Sequence, residues 1–542
     1  TYSGTTTIAA GTLQLGVANA LPSGAGKGNV TIVGNGYGAG TINGGTVIGT
    51  ADKIAAQGML DMGGYDQNIN GLNSTTGGLV VNNPTLAWNG SAWVAASSTN
   101  TLTVGNGDAS GSFNGVIMNG YTVAPGAVTA TAHIGTLNLA KVGTGTQTLS
   151  GLNTYSGTTT VSGGILRSGI NNTIPSTSAV TIAPSVSSGT AALDLNGYNN
   201  SLASVTFGGA SGSSATLQTG LGTATLLGNV TYDSTNNPNG AVISGSLSLG
   251  GANRTFNIGD SSATEAELTV SAVISNGALT KQGTGTLVLS AANTYSGSTT
   301  VNAGTLQVGD GTSGSLAGTG AVTINSGGTL SGSGSIAGSV TVNAGGFLAP
   351  GVGSPGSDNR TLTLTAGGTA VEVKDGGQIQ LGLTSSTKVD AGFDWTSGNA
   401  LSYLNSLTSN GTDFTNSSYV TNWKTAESTY DSLLLTNGNF QLGTTAGGTV
   451  KVLDNSGTFS LGNIFKLLDW MSLATTNLTN GGAGSFNTST DLDLSSITLG
   501  AGLDWDTSAF TNYGVIVVVP EPSRVLLLLF GLLGFLLRRR RQ

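Results

Sequence analysis

The stretch "KQGTGTLVLSAANTYSGSTTVNAGTLQVG" at residues 281–309 decides the fold, because nearly the same phrase stands at 141–169 as "KVGTGTQTLSGLNTYSGTTTVSGGILRSG". Both contain K-x-G-T-G-T-x-x-L-S-x-x-N-T-Y-S-G-x-T-T-V, and "TYSGTTTIAAGTLQLG" at 1–16 opens inside it. That opening, with no initiator Met and no apolar leader, leads us to expect further sequence upstream of Thr1. "LDMGGYDQNINGL" from Leu60 and "LDLNGYNNSLASV" from Leu193 form a second pair, each lying between one such phrase and the next. Counted from Tyr2 to Tyr155 to Tyr295, the large unit is 140 to 153 residues, so it must contain smaller rungs.

Those rungs are visible. "AVTINSGGTL" (321–330) and "SVTVNAGGFL" (339–348) agree at six of ten places with a shift of 18, and "TTVNAGTL" (299–306) precedes the former by 23 or 24. Shifts of this size suit one turn of a β-solenoid, whose short strands stack on the next turn at about 4.8 Å. Val322, Ile324, Val340 and Val342 then point inward, and Thr323 and Thr341 outward. Asn-Ser-Gly-Gly and Asn-Ala-Gly-Gly turn the corners, because Asn and Gly tolerate the positive φ that branched residues resist.

Composition agrees. Gly supplies 89 of 542 residues and charged residues only 8%. Such a chain would be disordered if β-branched residues were scarce and net charge high. Here Thr, Val, Ile and Leu are plentiful and alternate with small polar residues, which favours an all-β fold of short strands and tight turns. Setting aside Arg524 and the terminal arginines leaves 12 basic against 25 acidic residues in 1–522, a balance of −13. A nucleic-acid partner, which needs a basic stripe to displace counterions, is excluded. With no Cys, neither disulfides nor thiolate metal sites contribute.

The phrases "NTYSGTTTVSGGIL" and "NTYSGSTTVNAGTL" resemble the autotransporter-associated β-strand repeat, also called the passenger-associated transport repeat. "GSVTVNAGGFLAPG" (338–351) resembles neighbouring turns of the same family. The resemblance covers residues 1–355 and is strongest at the three phrases, with Tyr2, Gly4, Tyr155, Gly157, Tyr295 and Gly297 as landmarks. It implies a secreted right-handed parallel β-helix stalk.

From residue 356 the repeats fade, and four of the six Trp (Trp395, Trp423, Trp470, Trp505) fall in 356–515. "TLTLTAGGTAVEVKDGGQIQLGL" and "YGVIVVV" still read as strands, and "GNALSYLNSL" as one short helix. Residues 356–515 are therefore expected to form a β-rich cap whose Trp side chains cover the last turn.

Residues 516–542 differ from the rest. Val525 to Leu537 is an uninterrupted run of 13 apolar or Gly residues, followed by Arg538, Arg539, Arg540 and Arg541. As a helix this run is about 20 Å long, short for a span, which Arg524 and Arg538 can extend by snorkelling. The four arginines would stay cytoplasmic, leaving everything before Pro520 outside. Pro520 and Pro522 lack donors and should hold Glu521 on an extended, unpaired kink that a processing enzyme can grip. The tail resembles the PEP-CTERM sorting signal in its Pro520-Glu521-Pro522 tripeptide, apolar helix and arginine cluster. That resemblance implies recognition by an exosortase, a membrane transpeptidase that removes the helix. The alternative is a permanent C-terminal anchor.

β-Solenoids also carry polysaccharide lyases and hydrolases, which need clustered carboxylates, often with basic residues or a metal. His133, the sole histidine, sits in "TAHIGTLNL" with no catalytic phrase around it and reads as structural or solvent-facing. Asp491 and Asp493 in "TDLDLSS" would place two carboxylates on one strand face, a pattern that reads as solvated. "VGNGDASG" and "VGDGTSG" lack the repetition of calcium-binding β-rolls and read as Asp turns. "GTGTQTLSG" and "GTGTLVLS" have no Lys or helix at phosphate-loop spacing. Tyr2, Tyr155 and Tyr295 read as rings covering a turn rather than as a sugar platform. Residues 356–515 are too few and irregular for a membrane β-barrel. No catalytic, cofactor-binding or metal-binding residue is expected.

The chain is thus expected to be a structural or adhesive protein of a bacterial extracellular (biofilm) matrix, not an enzyme. It would insert in the inner membrane through its C-terminal helix and then reach the cell surface or be secreted. Expected partners are the exosortase, the inner membrane before processing, and exopolysaccharide or other cells. Two alternatives stand beside this: a polysaccharide-active enzyme on the same solenoid, and a permanently anchored surface adhesin.

Overall fold

The computed structural model describes residues 2–34, 42–43, 46–47, 58–84, 86–88, 93–95, 98–120, 135–318, 320–351, 361–383, 432–436, 439–442, 448–454, 459, 463–470, 478–480, 491–508, 510 and 514–521. The sequence rungs are registers of stacked strands. Val322–Ile324 pairs in parallel with Val340–Val342, Val322 opposite Val340, at the shift of 18. Thr299–Val301 pairs in parallel with Val322–Ile324 at a shift of 23. In all three strands the first and third side chains are buried and the middle Thr is half-buried, as a period of two requires. A three-residue strand is unstable alone; parallel neighbours on both sides satisfy its backbone and make it a rung.

The chain divides into two compact units, Thr1–Leu279 with Gly283–Leu287, and Thr280–Gln282 with Val288–Gln542. In the first, one parallel ladder runs through Gln67–Asn68, Ser98–Val104, Gly135–Lys141, Thr159–Val161, Ala179–Ile182, Ser204–Phe207, Val230–Tyr232 and Asn253–Ile258. A second runs through Gly111–Phe113, Thr146–Leu149, Gly164–Ser168, Thr190–Asp194, Ser214–Leu226, Ala241–Ser248 and Leu268–Val270. Inward side chains repeat in columns. Val180, Val205, Val230 and Phe256 stand in register, as do Ile182, Phe207, Tyr232 and Ile258, and all eight are buried. Each such aliphatic or aromatic side chain contributes about 1.5–3 kcal/mol of hydrophobic stabilisation, so a continuous column replaces a globular core.

In the second unit three parallel ladders alternate along the chain, so one circuit carries three strands. Thr299–Val301, Gly304–Val308 and Ser315–Leu316 are followed by Val322–Ile324, Gly328–Gly332 and Ser335–Ile336, each lying on its counterpart. The stacking continues where the sequence repeats fade: Thr361–Leu364, Thr369–Val373 and Gln378–Leu383 lie on Ser335–Ile336, Val340–Val342 and Phe347–Pro350. The fold is all-β with long parallel sheets, consistent with a β-solenoid. Val515–Pro520 breaks the pattern, pairing antiparallel with both Ile464–Lys466 and Leu503–Asp506. Such a sheet does not template another parallel turn. In the same region Phe459, Phe465 and Trp505 meet edge to face with ring centroids 5.8 to 6.0 Å apart.

Trp395, Trp423, the side chain of Trp470, His133 and the helix expected over 398–407 lie outside the described residues, as do Pro522, Val525, Leu537 and Arg538–Arg541. Among the described residues no helix is long and apolar enough to cross a membrane. The expectation of an unpaired peptide at Pro520-Glu521 is corrected. Pro520 ends a paired strand opposite Leu503, and the Glu521 N–H donates to the Gly502 carbonyl at 3.0 Å while the residue is exposed. Proline removes its own donor only, so the next residue is free to extend the ladder.

Candidate functional site: the repeat corners and the C-terminal motif

Each Tyr-Ser-Gly phrase folds into the same corner. The tyrosine hydroxyl meets the threonine hydroxyl four residues on, at 2.7 Å for Tyr155 and Thr159 and 2.8 Å for Tyr295 and Thr299; Tyr2 and Thr6 make the same bond. Tyr155 and Tyr295 are buried, whereas Tyr2 is 48% exposed. Burial pushes the Tyr155 phenol well above its ordinary value and that of Tyr295 up to about 12, with the threonine bond opposing the shift. Buried rings offer no platform for a sugar. Gly157 lets the turn press on its neighbour: a Cβ there would lie 2.2 Å from Asn138 Oδ1 and 2.4 Å from the Leu137 carbonyl oxygen. Gly4 has open space around it, and the Gly297 carbonyl is approached by Gly320, where a Cβ would come within 2.0 Å of it.

The lysine that opens the repeated phrase had no role from sequence alone. Lys141 is fully buried, and its Nζ donates to the carbonyls of Val142 at 2.6 Å, Gly143 at 3.0 Å and Gly163 at 3.1 Å. Lys281 is also fully buried and donates to Gln282 at 3.0 Å and Ala303 at 3.1 Å. The ammonium gathers corner carbonyls that the strands leave over. Burial lowers the Lys141 pKa to about 8, with the Asp108 carboxylate opposing. The only signal in the sequence was the recurrence of Lys at a fixed place before Gly-Thr-Gly-Thr.

Asparagines form a further unforeseen array. Asn325 Nδ2 donates to Asn302 Oδ1, and Asn343 Nδ2 to Asn325 Oδ1, both at 2.7 Å. Their side chains thus repeat the stacking of the backbone at a corner where Gly327 and Gly345 take φ of 80° and 73°.

The acidic candidates resolve into turns. Asp310 Oδ1 accepts the Thr312 N–H at 2.9 Å, the Thr312 hydroxyl at 2.7 Å and the Ser313 N–H at 2.9 Å, bonds that hold its carboxyl below the usual range against some burial. Asp108 accepts the Thr144 N–H at 2.8 Å and is lowered by that bond. Asp493 accepts the Ser495 hydroxyl at 2.6 Å and its N–H at 2.9 Å, with Lys451 at 3.7 Å, and is lowered chiefly by Ser495. Asp491 is buried two residues before it, so the two do not form an open carboxylate pair. Among the described residues no three His, Asp or Glu side chains gather as a metal site would need.

The passenger-associated-transport-repeat family matches the chain at residues 1–15, 139–167 and 279–308. Over 263 residues, 47% of the chain, it is 31% identical to "Adhesin BmaC autotransporter" of Brucella suis biovar 1 (strain 1330). The matched part is 6% of that relative's length.

Proposed function

We propose that this chain is a non-enzymatic, surface-exposed β-solenoid, its turns right-handed, that works by adhesion within a bacterial extracellular matrix. The observation that carries this reading is where the passenger repeats fall. Two of the three matched segments, 139–167 and 279–308, hold the buried lysines and tyrosines that fasten the stack, so the repeat serves to build a scaffold. The likeness to an adhesin supports adhesion as the use of that scaffold. Deleting the gene in its producer should reduce cell aggregation and surface attachment, and the intact gene should restore both. Unchanged attachment would remove the reading.

The tail is part of the same proposal. We read Pro520-Glu521-Pro522, the apolar run from Val525 to Leu537 and the arginines that follow as a sorting signal cut by an exosortase after membrane insertion. Intact mass measurement of the mature protein tests this. A chain ending near Pro522 supports processing, and one retaining Val525 to Gln542 means a lasting anchor.

A further inference from the structure

We propose that the outward face of the ladder from Ser98–Val104 to Asn253–Ile258 binds an extended, uncharged polysaccharide lying along the stack. This inference rests on the adhesive reading and specifies its ligand class and surface. On that face Thr160, Thr181, Thr206 and Thr231 stand in register, in a row that begins at Thr103 and ends at Asn257. A second row, two residues earlier in the chain at each rung, runs from Thr101 through Thr158 and Ser204 to Thr255, with Thr158 and Asn229 immediately ahead of their strands. The fourteen positions of the two rows hold eight Thr, one Ser, three Asn and two Ala, none of them buried and none ionisable.

The composition is particular to this face. In the second ladder of the same unit the outward residues include Ile165, Val242 and the ion pair of Arg167 with Asp194 at 2.8 Å. In the second unit the row of Thr300, Thr323 and Thr341 is followed in register by Glu372. Asp66, at the edge of the first unit's rows, has its Oδ1 engaged by the Thr101 N–H at 2.8 Å.

The chemistry selects the occupant. Threonine on a strand is stiff at χ1, so its hydroxyls recur in one orientation, about 4.8 Å apart along the stack and about 6.7 Å apart along each strand. Hydroxyls and amides both donate and accept, as the hydroxyls of a sugar do. A polyanion gains no ion pair from these rows and meets a chain of net charge −8. A protein partner would want aromatic or Arg anchors, and the rows present none. A neutral polymer running along the stack repeats one weak contact at every strand, and the repeats multiply.

Affinity electrophoresis of the purified chain through gels containing soluble β-glucan, galactomannan or hydroxyethylcellulose tests this, with alginate as the anionic comparator. Retardation by at least one uncharged polymer is expected, growing with polymer length and indifferent to salt. The double variant Thr181→Lys with Thr206→Lys should weaken it about a hundredfold, whereas Thr323→Lys with Thr341→Lys should change it less than about twofold. Circular dichroism verifies that both variants keep the wild-type fold. Stronger retardation by alginate, no retardation by any uncharged polymer, or equal loss in both variants would overturn the proposal. Producer cells carrying the first variant that still aggregate normally would overturn the face while leaving the adhesive reading intact. Failure of wild-type cells to aggregate would remove the adhesive reading itself.

Discussion

Lys141 Nζ lies 3.1 Å from the carbonyl oxygen of Gly163, one turn further along the stack, and Lys281 reaches Ala303 at the same distance. A buried ammonium bridging successive turns is a fastener that titrates. The unfolded lysine holds its proton to about 10.5 and the folded one to about 8, so the unfolded state binds more protons between those values. Stability should therefore rise with pH across that window and be lower below it. The urea midpoint of the whole chain, followed by circular dichroism from pH 7 to 10, checks this, and Lys141→Met should flatten the rise.

The buried tyrosines act in the opposite direction. Tyr155 keeps its proton in the folded chain beyond the pH at which a free phenol loses it, chiefly through burial. Its contribution is fully present below about pH 10 and lost as pH climbs above it. Tyr155→Phe should blunt the alkaline loss and, by breaking the 2.7 Å bond to Thr159, cost about 1 kcal/mol at neutral pH. A variant whose alkaline unfolding matches wild type would show that this phenol does not govern it.

Burial columns make a sharper contrast within three residues. Ile324 is fully buried between Val301 and Val342, while Thr323 beside it faces outward. Ile324→Ala should cost about 2–5 kcal/mol through lost contacts and the cavity left behind. Thr323→Ala should stay within about 0.5 kcal/mol. Comparable losses in thermal unfolding for the two would contradict the inward and outward assignment.

Val322 and Val340 were legible because a period of two and a repeated phrase fix both the strand and its partner. Position alone does not tell which atoms a long side chain will meet, so the carbonyl cluster around Lys141 was hidden in a recurrence without an evident reason. Gln147 shows the same limit. Its amide accepts from the Leu72 N–H at 3.0 Å and donates to the Leu72 carbonyl at 2.8 Å, standing in for a strand from 75 residues away. Past residue 355 the strands were legible from alternation, as in Thr369–Val373, but their partners were not, because a rung needs only alternation and the repeated wording of a corner, which fixes the register, is absent there. The face rows of Thr were written in the sequence, but their alignment appears only once the registers are known.

The asparagine array carries the last prediction, because its central member both donates and accepts. Asn325 gives a proton to Asn302 Oδ1 and takes one from Asn343 Nδ2. Asn325→Ala removes both bonds and should cost about 1–3 kcal/mol. In Asn325→Asp the ionised carboxylate accepts from Asn343 but faces the Asn302 oxygen with no proton to offer, so at neutral pH it should be no more stable than the alanine variant. Protonation restores the missing donor. The new carboxyl should thus titrate above its unfolded value of about 3.9 in the folded chain. The stability it adds should be complete below that value and lost as pH rises through the folded pKa. Asn325→Asp should therefore recover towards wild type in acid, whereas Asn325→Ala should not, as urea midpoints referred to wild type at each pH will show. Equal acid behaviour of the two variants would mean that the array holds no directional hydrogen bond at this corner.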